Sequence, residues 1–455
     1  MENKLKFRNK LAYGVGDFGS NFCWTFITTF ALIYFTDTVG LSAATIGLLI
    51  MVSRFLDGFT DVIMGGLIDK TRSKMGKARP WLFWSAFPLV VFLVLIFTVP
   101  SSFSDFGKYI YIFIIYTLLC AVFYTASNIS YNSLISLAAD DPKDRVSMGS
   151  IRFICAVIGA LVITSVTMVF VNAQGGGQRG WTIVSLIYSF IFLIFTIITV
   201  VGVKELKKNI AVETDKESNT QKPDKAISFG KSLWYLGKNK YFFIILGLFI
   251  VYYISSGIGQ SVGIYYVSYI LGDPALMGLI GLAGIIPMII VLPMTPKLTA
   301  RFGMQKTCLI ASLISVAGSI LLLFSGNNMP LLLAGLVIRA LGTAPFTGAM
   351  YALIAEISEY ATLKFNIHTE GTIYSCSSVG IKVGSGLGVA ITGWLLTAGG
   401  YIGGAEVQSH SALAMIQNIY LVSPLITALL MVFLLALLRV EAANKALKSA
   451  SEKGV

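Results

Sequence analysis

Apolar residues in this chain come in runs long enough to cross a bilayer, separated by short polar turns. Runs of roughly 20 residues or more, enough helix to span about 30 Å of hydrocarbon, fall at 12–36, 43–68, 81–100, 109–137, 148–171 and 181–203. Six more fall at 241–271, 275–295, 306–325, 330–355, 371–398 and 412–438. The pattern predicts an all-α membrane protein of twelve transmembrane helices, six and six. Residues 204–240 between the two sets are polar, mixed in charge and carry Pro223, as expected of a cytoplasmic linker. The expected organisation is a six-helix bundle at 1–203, the linker at 204–240, a second bundle at 241–438 and a cytoplasmic tail at 439–455.

The turns set the topology. Lys70, Arg72, Lys74, Lys77 and Arg79 crowd one short turn, whereas those near Val39, Ser104, Gly175, Gly272 and Asn327 carry one basic residue or none. Basic loops stay on the cytoplasmic side, so both termini are expected inside, in a cell (inner or plasma) membrane; the short loop 140–145, with acids in excess, is a weak exception. Lys4, Lys6, Arg8 and Lys10 lead into a long first helix without a cleavage pattern, so no signal peptide is expected. A weak internal repeat supports two halves. GGLIDKTRSKMGKAR at 65–79 and PKLTARFGMQKT at 296–307 both pair a basic turn with glycine, after the second and the eighth run.

Composition agrees: 56% of the 455 residues are hydrophobic, 12% are charged, and the mean hydropathy is +0.79. The formal charge of +12 sits beside the spans. Topology and anionic lipid headgroups explain it better than nucleic acid does. Five cysteines (23, 120, 155, 308, 376) are scattered through apolar runs, which suggests small core residues rather than disulfides or a zinc site. His368 and His410 are single and not spaced as metal ligands. No nucleophile motif or soluble catalytic domain is visible, so an enzyme is not expected, and a monomer suffices for function.

The chemistry lies in the few polar groups at membrane depth. Arg54, Asp57 and Asp61 are three and four residues apart, hence on one face of one helix. A charge at the bilayer centre costs at least a few kcal/mol, so this stripe must face protein or water. A paired-carboxylate cation site is one reading and a static Arg–Asp tie between helices is the other. Asp17, Asn21, Asn128, Arg152, Arg339 and Lys382 are the remaining deep polar residues. Lys382, in the glycine-rich run SSVGIKVGSGLGVAITG, needs a carboxylate such as Asp57 or Asp61. Arg339 reads as a structural tie or a substrate contact. Glu356 and Glu359 read as gate residues, with Arg54, Asp69 and Arg72 in the same structural and gating class. Trp24, Tyr131 and Tyr351 offer flat faces for a sugar ring.

The second-helix segment RFLDGFTDVIMGGLIDKTRSKMGKARPW closely resembles the signature of the glycoside-pentoside-hexuronide:cation symporters, a branch of the major facilitator superfamily. The likeness extends to YGVGDFGSNF, YFTDTVG, the stretch from Tyr124 to Arg152, and EGTIYSCSSVGIKVG. It implies the major facilitator fold of two pseudo-symmetric six-helix bundles with a midplane site. It also implies coupling carboxylates at Asp57 and Asp61, with Thr125 and Lys382 beside them. Thr60 stands where melibiose carriers of the family have an asparagine, which leaves Na+ and H+ both open as the coupling cation; Asp57 and Asp61 would be the ligands of Na+. No other cofactor is implied.

Asn21, Asn128 and Arg152 fall at the family's sugar positions, with amides where melibiose carriers have acids. Asp17 lies one turn from Asn21 and is a further partner for Arg152. This pattern looks more like the family's glucuronide carriers. The expected function is a symporter importing a sugar or glycoside, preferably a glucuronide or other hexuronide, by alternating access. The alternatives are a neutral galactoside or xyloside symporter and a lysolipid or drug transporter of the same fold.

Overall fold

The computed structural model describes residues 5–139, 141–206, 237–326, 328–365, 370–405 and 407–452. Most of the expected linker and His368 lie outside the described residues, as do the side chains of Asp69 and Cys376. The first set of helices is α1 (Phe7–Thr38), α2 (Ala43–Lys70), α3 (Arg79–Ile96), α4 (Asp105–Ala138), α5 (Pro142–Ala173) and α6 (Gly177–Gly202). The second is α7 (Lys240–Ile270), α8 (Leu276–Phe302), α9 (Met304–Leu323), α10 (Met329–Phe365), α11 (Glu370–Ala398) and α12 (His410–Leu437). A short helix α13 (Val440–Glu452) follows. Eleven described segments are long and apolar enough to cross a membrane. The twelfth, α2, has 28 residues and charges at its middle.

The predicted runs and the helices coincide at their centres and differ at their ends. The tenth run is expected to stop near residue 355, yet α10 continues to Phe365. Its added turns are held by α13: Lys448 pairs with Glu359 at 2.6 Å and Asn444 donates to the Glu356 carboxylate at 2.9 Å. Hydrophobicity marks where a helix leaves lipid, but backbone hydrogen bonds continue wherever tertiary partners support them.

The chain divides into two compact units. In the first, α1 packs on α5 and α6, and α3 packs on α6 and α4. Gly159 permits the first contact, because a Cβ there would meet the Phe18 carbonyl at 2.9 Å. This unit also takes in Thr392–Ser409. Thr397 accepts from the Ala44 amide at 3.0 Å, and Tyr401 donates to the Asp37 carboxylate. In the second unit α9 packs on α10 and α12, and α7 packs on α12.

One device recurs in both units. The Glu205 carboxylate, just beyond α6, accepts from the amides of Lys77, Ala78 and Arg79 at 2.8, 2.9 and 3.0 Å. Glu441, just beyond α12, accepts from the amides of Met304 and Gln305 at 2.9 and 3.0 Å. Each carboxylate satisfies the orphan amides at the start of the third helix of its half and complements the helix dipole. Gly76 and Gly303, both at positive φ, bring the backbone against the carboxylates. The weak sequence repeat therefore corresponds to a repeated cap. Glu205 belongs structurally to the first bundle, although the sequence places it in the linker.

Candidate functional site

The charged stripe of α2 is buried in the first unit. Asp57 and Arg54 are 3% and 4% exposed, while Asp61, one turn further on, is half-buried. One Asp57 oxygen accepts the Thr125 hydroxyl at 2.5 Å, and the other lies 3.9 Å from Arg54 Nη1. The long Arg54–Asp57 distance makes this a loose ion pair. The guanidinium is held instead by rings: Nη2 donates to Tyr116 at 3.0 Å, and Cζ sits 4.2 Å from the Trp24 centroid. A cation over an indole face is attracted by the ring quadrupole. Arg54 Nη1 is buried and makes no hydrogen bond among the described residues.

Thr125 owes its position to a local irregularity. Residues Leu118–Tyr124 of α4 widen into a π-helical turn, and Thr125 begins the regular helix after it. Such bulges shift the following side chains around the helix and recur at functional sites. Thr60 donates to its own helix, to the Asp57 carbonyl at 3.0 Å.

A second polar cluster forms where α1, α4 and α5 meet. Arg152 Nε donates to Asp17 at 2.7 Å, and Nη1 donates to Asn132 at 2.5 Å. Asn132 in turn donates to the Asn128 side chain at 3.4 Å. Asn21 donates to the Asp17 carbonyl and accepts from Thr25 at 2.6 Å. The Arg152 guanidinium also lies 4.8 Å from the Tyr131 ring. Tyr131 stacks on Tyr13 with centroids 4.6 Å apart and donates to the Tyr13 carbonyl at 2.6 Å.

The structure thus brings Asp57 to Thr125 and Arg54, and Arg152 to Asp17 and Asn132, with Asn128 one hydrogen bond further on. The predicted aromatics fare differently. The Trp24 ring is covered by Arg54 and by Tyr124, stacked at 4.6 Å. Tyr131 is buried, whereas Tyr351 is 55% exposed. Lys382 is half-buried on α11, and Arg339 on α10 donates to Ser255 at 3.1 Å. Arg72 and His410 are exposed. Among the described residues, Cys23, Cys120 and Cys308 are buried. Sequence reading misses Asn132, although it stands one helical turn from Asn128 and so on the same face. Tyr116 and Tyr124 carry no signal of their own among the many aromatics of the chain.

MFS/sugar transport proteins match residues 12–442. An isoprimeverose transporter from Lactiplantibacillus pentosus is 30% identical over 433 residues, covering 93% of this chain and 87% of that protein. A glucuronide carrier protein homolog from Escherichia coli (strain K12) is 28% identical, covering 88% of this chain and 86% of its own. The fold matches that of the nucleoside transporter NupG with a TM-score of 0.66, at 14% identity, over 95% of this chain and 99% of that one.

Proposed function

Because the chain belongs to the MFS/sugar transport family, it is a multi-pass membrane transporter of the symporter type for sugars or glycosides and not an enzyme, and we propose that it couples glycoside import to a cation at Asp57 and Asp61. The observation that carries this reading is the Asp57 carboxylate, 3% exposed, with a threonine hydroxyl at 2.5 Å and its arginine neighbour at 3.9 Å. A site in which a buried carboxylate meets a hydroxyl oxygen suits a hard monovalent cation or a proton. Two carboxylates one turn apart resist closure away from water until one is neutralised. Neutralisation by Na+ or H+ then permits the closed intermediate of an alternating-access cycle. The coupling is reciprocal, so cation and sugar raise each other's affinity by one factor.

The Arg152 cluster is the proposed sugar site. Asp17, Asn128, Asn132 and Asn21 offer acceptors and amide donors for sugar hydroxyls. Asp17 already neutralises Arg152, so this cluster favours hydroxyl recognition over capture of an acid. A hexuronide remains the second reading, supported by the likeness to a glucuronide carrier homolog. Lys382 is proposed as the cationic partner of the carboxylates, and the location is the plasma or inner membrane.

Counterflow and uphill uptake in proteoliposomes test the coupling, with isoprimeverose and a phenyl glucuronide as solutes. Asp57→Asn and Asp61→Asn are each expected to abolish concentrative uptake while sparing exchange. Full accumulation by both variants refutes the assignment.

A further inference from the structure

The second unit holds a half-buried cation of its own, Arg339. Arg339 lies in the apolar middle of α10, where a charge is costly and a guanidinium does not shed its proton. Among the described residues no carboxylate stands within 4.0 Å of it, and its one hydrogen bond is to Ser255. Arg339 faces a cavity of about 270 Å³ lined by α7, α8, α9, α10 and α12. This is close to the lower bound, roughly 300 Å³, of small-molecule sites. No acidic residue lines it, but hydroxyls do: Ser255, Ser312, Ser315, Thr343 and Thr427. Thr427 donates to the Ser423 carbonyl at 2.9 Å and lies 3.0 Å from the Ser255 hydroxyl, so Ser255 donates to Thr427 while it accepts from Arg339, which fixes the position of the acceptor that orients the guanidinium. Helix α9 packs closely on α10 at this level, because a Cβ on Gly318 would collide with the Arg339 backbone.

We infer that this cavity is an anion subsite, in which the Arg339 guanidinium, oriented by Ser255, holds a carboxylate or a small oxyanion. A guanidinium offers two parallel N–H donors that match such groups, and the adjoining hydroxyls supply further donors. The charge comes either from the acidic group of the transported solute or from a free inorganic anion. Arg152 is matched by Asp17, whereas the Arg339 cavity supplies the counter-charge that an anionic ligand requires. The first source rests on the glycoside-transport reading above; the second does not.

The test uses the purified full-length protein. Thermal midpoints are measured with sodium glucuronate, sodium sulfate and uncharged glucose at matched ionic strength, alongside uptake of phenyl glucuronide and isoprimeverose. Glucuronate or sulfate, but not glucose, is expected to raise the wild-type midpoint, and Arg339→Gln to abolish that rise. If Arg339→Gln also lowers glucuronide uptake at least tenfold more than isoprimeverose uptake, the anion is the solute's own. Equal effects on both solutes identify a free anion. No anion-dependent rise in the wild type, or an undiminished rise in Arg339→Gln, overturns the inference. Should that variant fail to fold, Arg339→Lys and Ser255→Val replace it, each expected to weaken anion stabilisation at least fivefold and overturning the inference if they do not. If wild-type protein moves neither solute, the transport reading fails while the binding comparison still decides the subsite.

Discussion

Thr125 is the neutral group on which the Asp57 carboxylate leans, and its hydroxyl forms a charge-assisted hydrogen bond. Such bonds contribute about 1.5–3 kcal/mol. Thr125→Val is therefore expected to weaken cation activation of uptake by roughly 10-fold or more, with Thr125→Ser recovering most of it. The half-maximal Na+ concentration, or the proton dependence if H+ couples, is the measurement; an unchanged value for Thr125→Val removes Thr125 from the cation site. At this scale the sequence names the charged residues but not their partners. Spacing alone puts Arg54 on the face of Asp57, yet its guanidinium rests on Trp24 and Tyr116, which come from other helices. A helix fixes which residues share its face, and only packing decides what that face meets.

The two glutamate caps show how an element is closed. Glu205 and Glu441 each end the unsatisfied amides of a helix far away in sequence. Loss of an N-terminal cap costs roughly 0.5–2 kcal/mol. Glu205→Ala and Glu441→Ala are expected to lower the thermal midpoint of the purified protein, and the double variant to show additive losses because the caps lie in separate units. A midpoint unchanged in both single variants refutes the capping role. The π-helical turn at Leu118–Tyr124 is the other element-scale feature. Nothing in LLCAVFY announces it, since one extra residue in a turn leaves the hydrophobic pattern of a buried helix unaltered.

For the whole molecule, the basic turn Lys70–Arg79 and the basic start of the chain predict cytoplasmic faces. Single cysteines introduced at Lys74 and at Asp273, in a background with the native cysteines removed, are expected to label from opposite sides of intact cells. Labelling of both by an impermeant reagent from outside contradicts the topology. The chain by itself determined the number and approximate extent of the membrane helices and the acidic stripe of α2. It did so because lipid admits so few ways to satisfy a backbone or hide a charge. Tertiary structure alone decided that Asn132 joins Asp17 on Arg152, that Trp24 is covered, and that Arg339 faces a cavity without an acid. Those outcomes depend on contacts between helices tens or hundreds of residues apart, which a pattern along one strand of sequence does not encode.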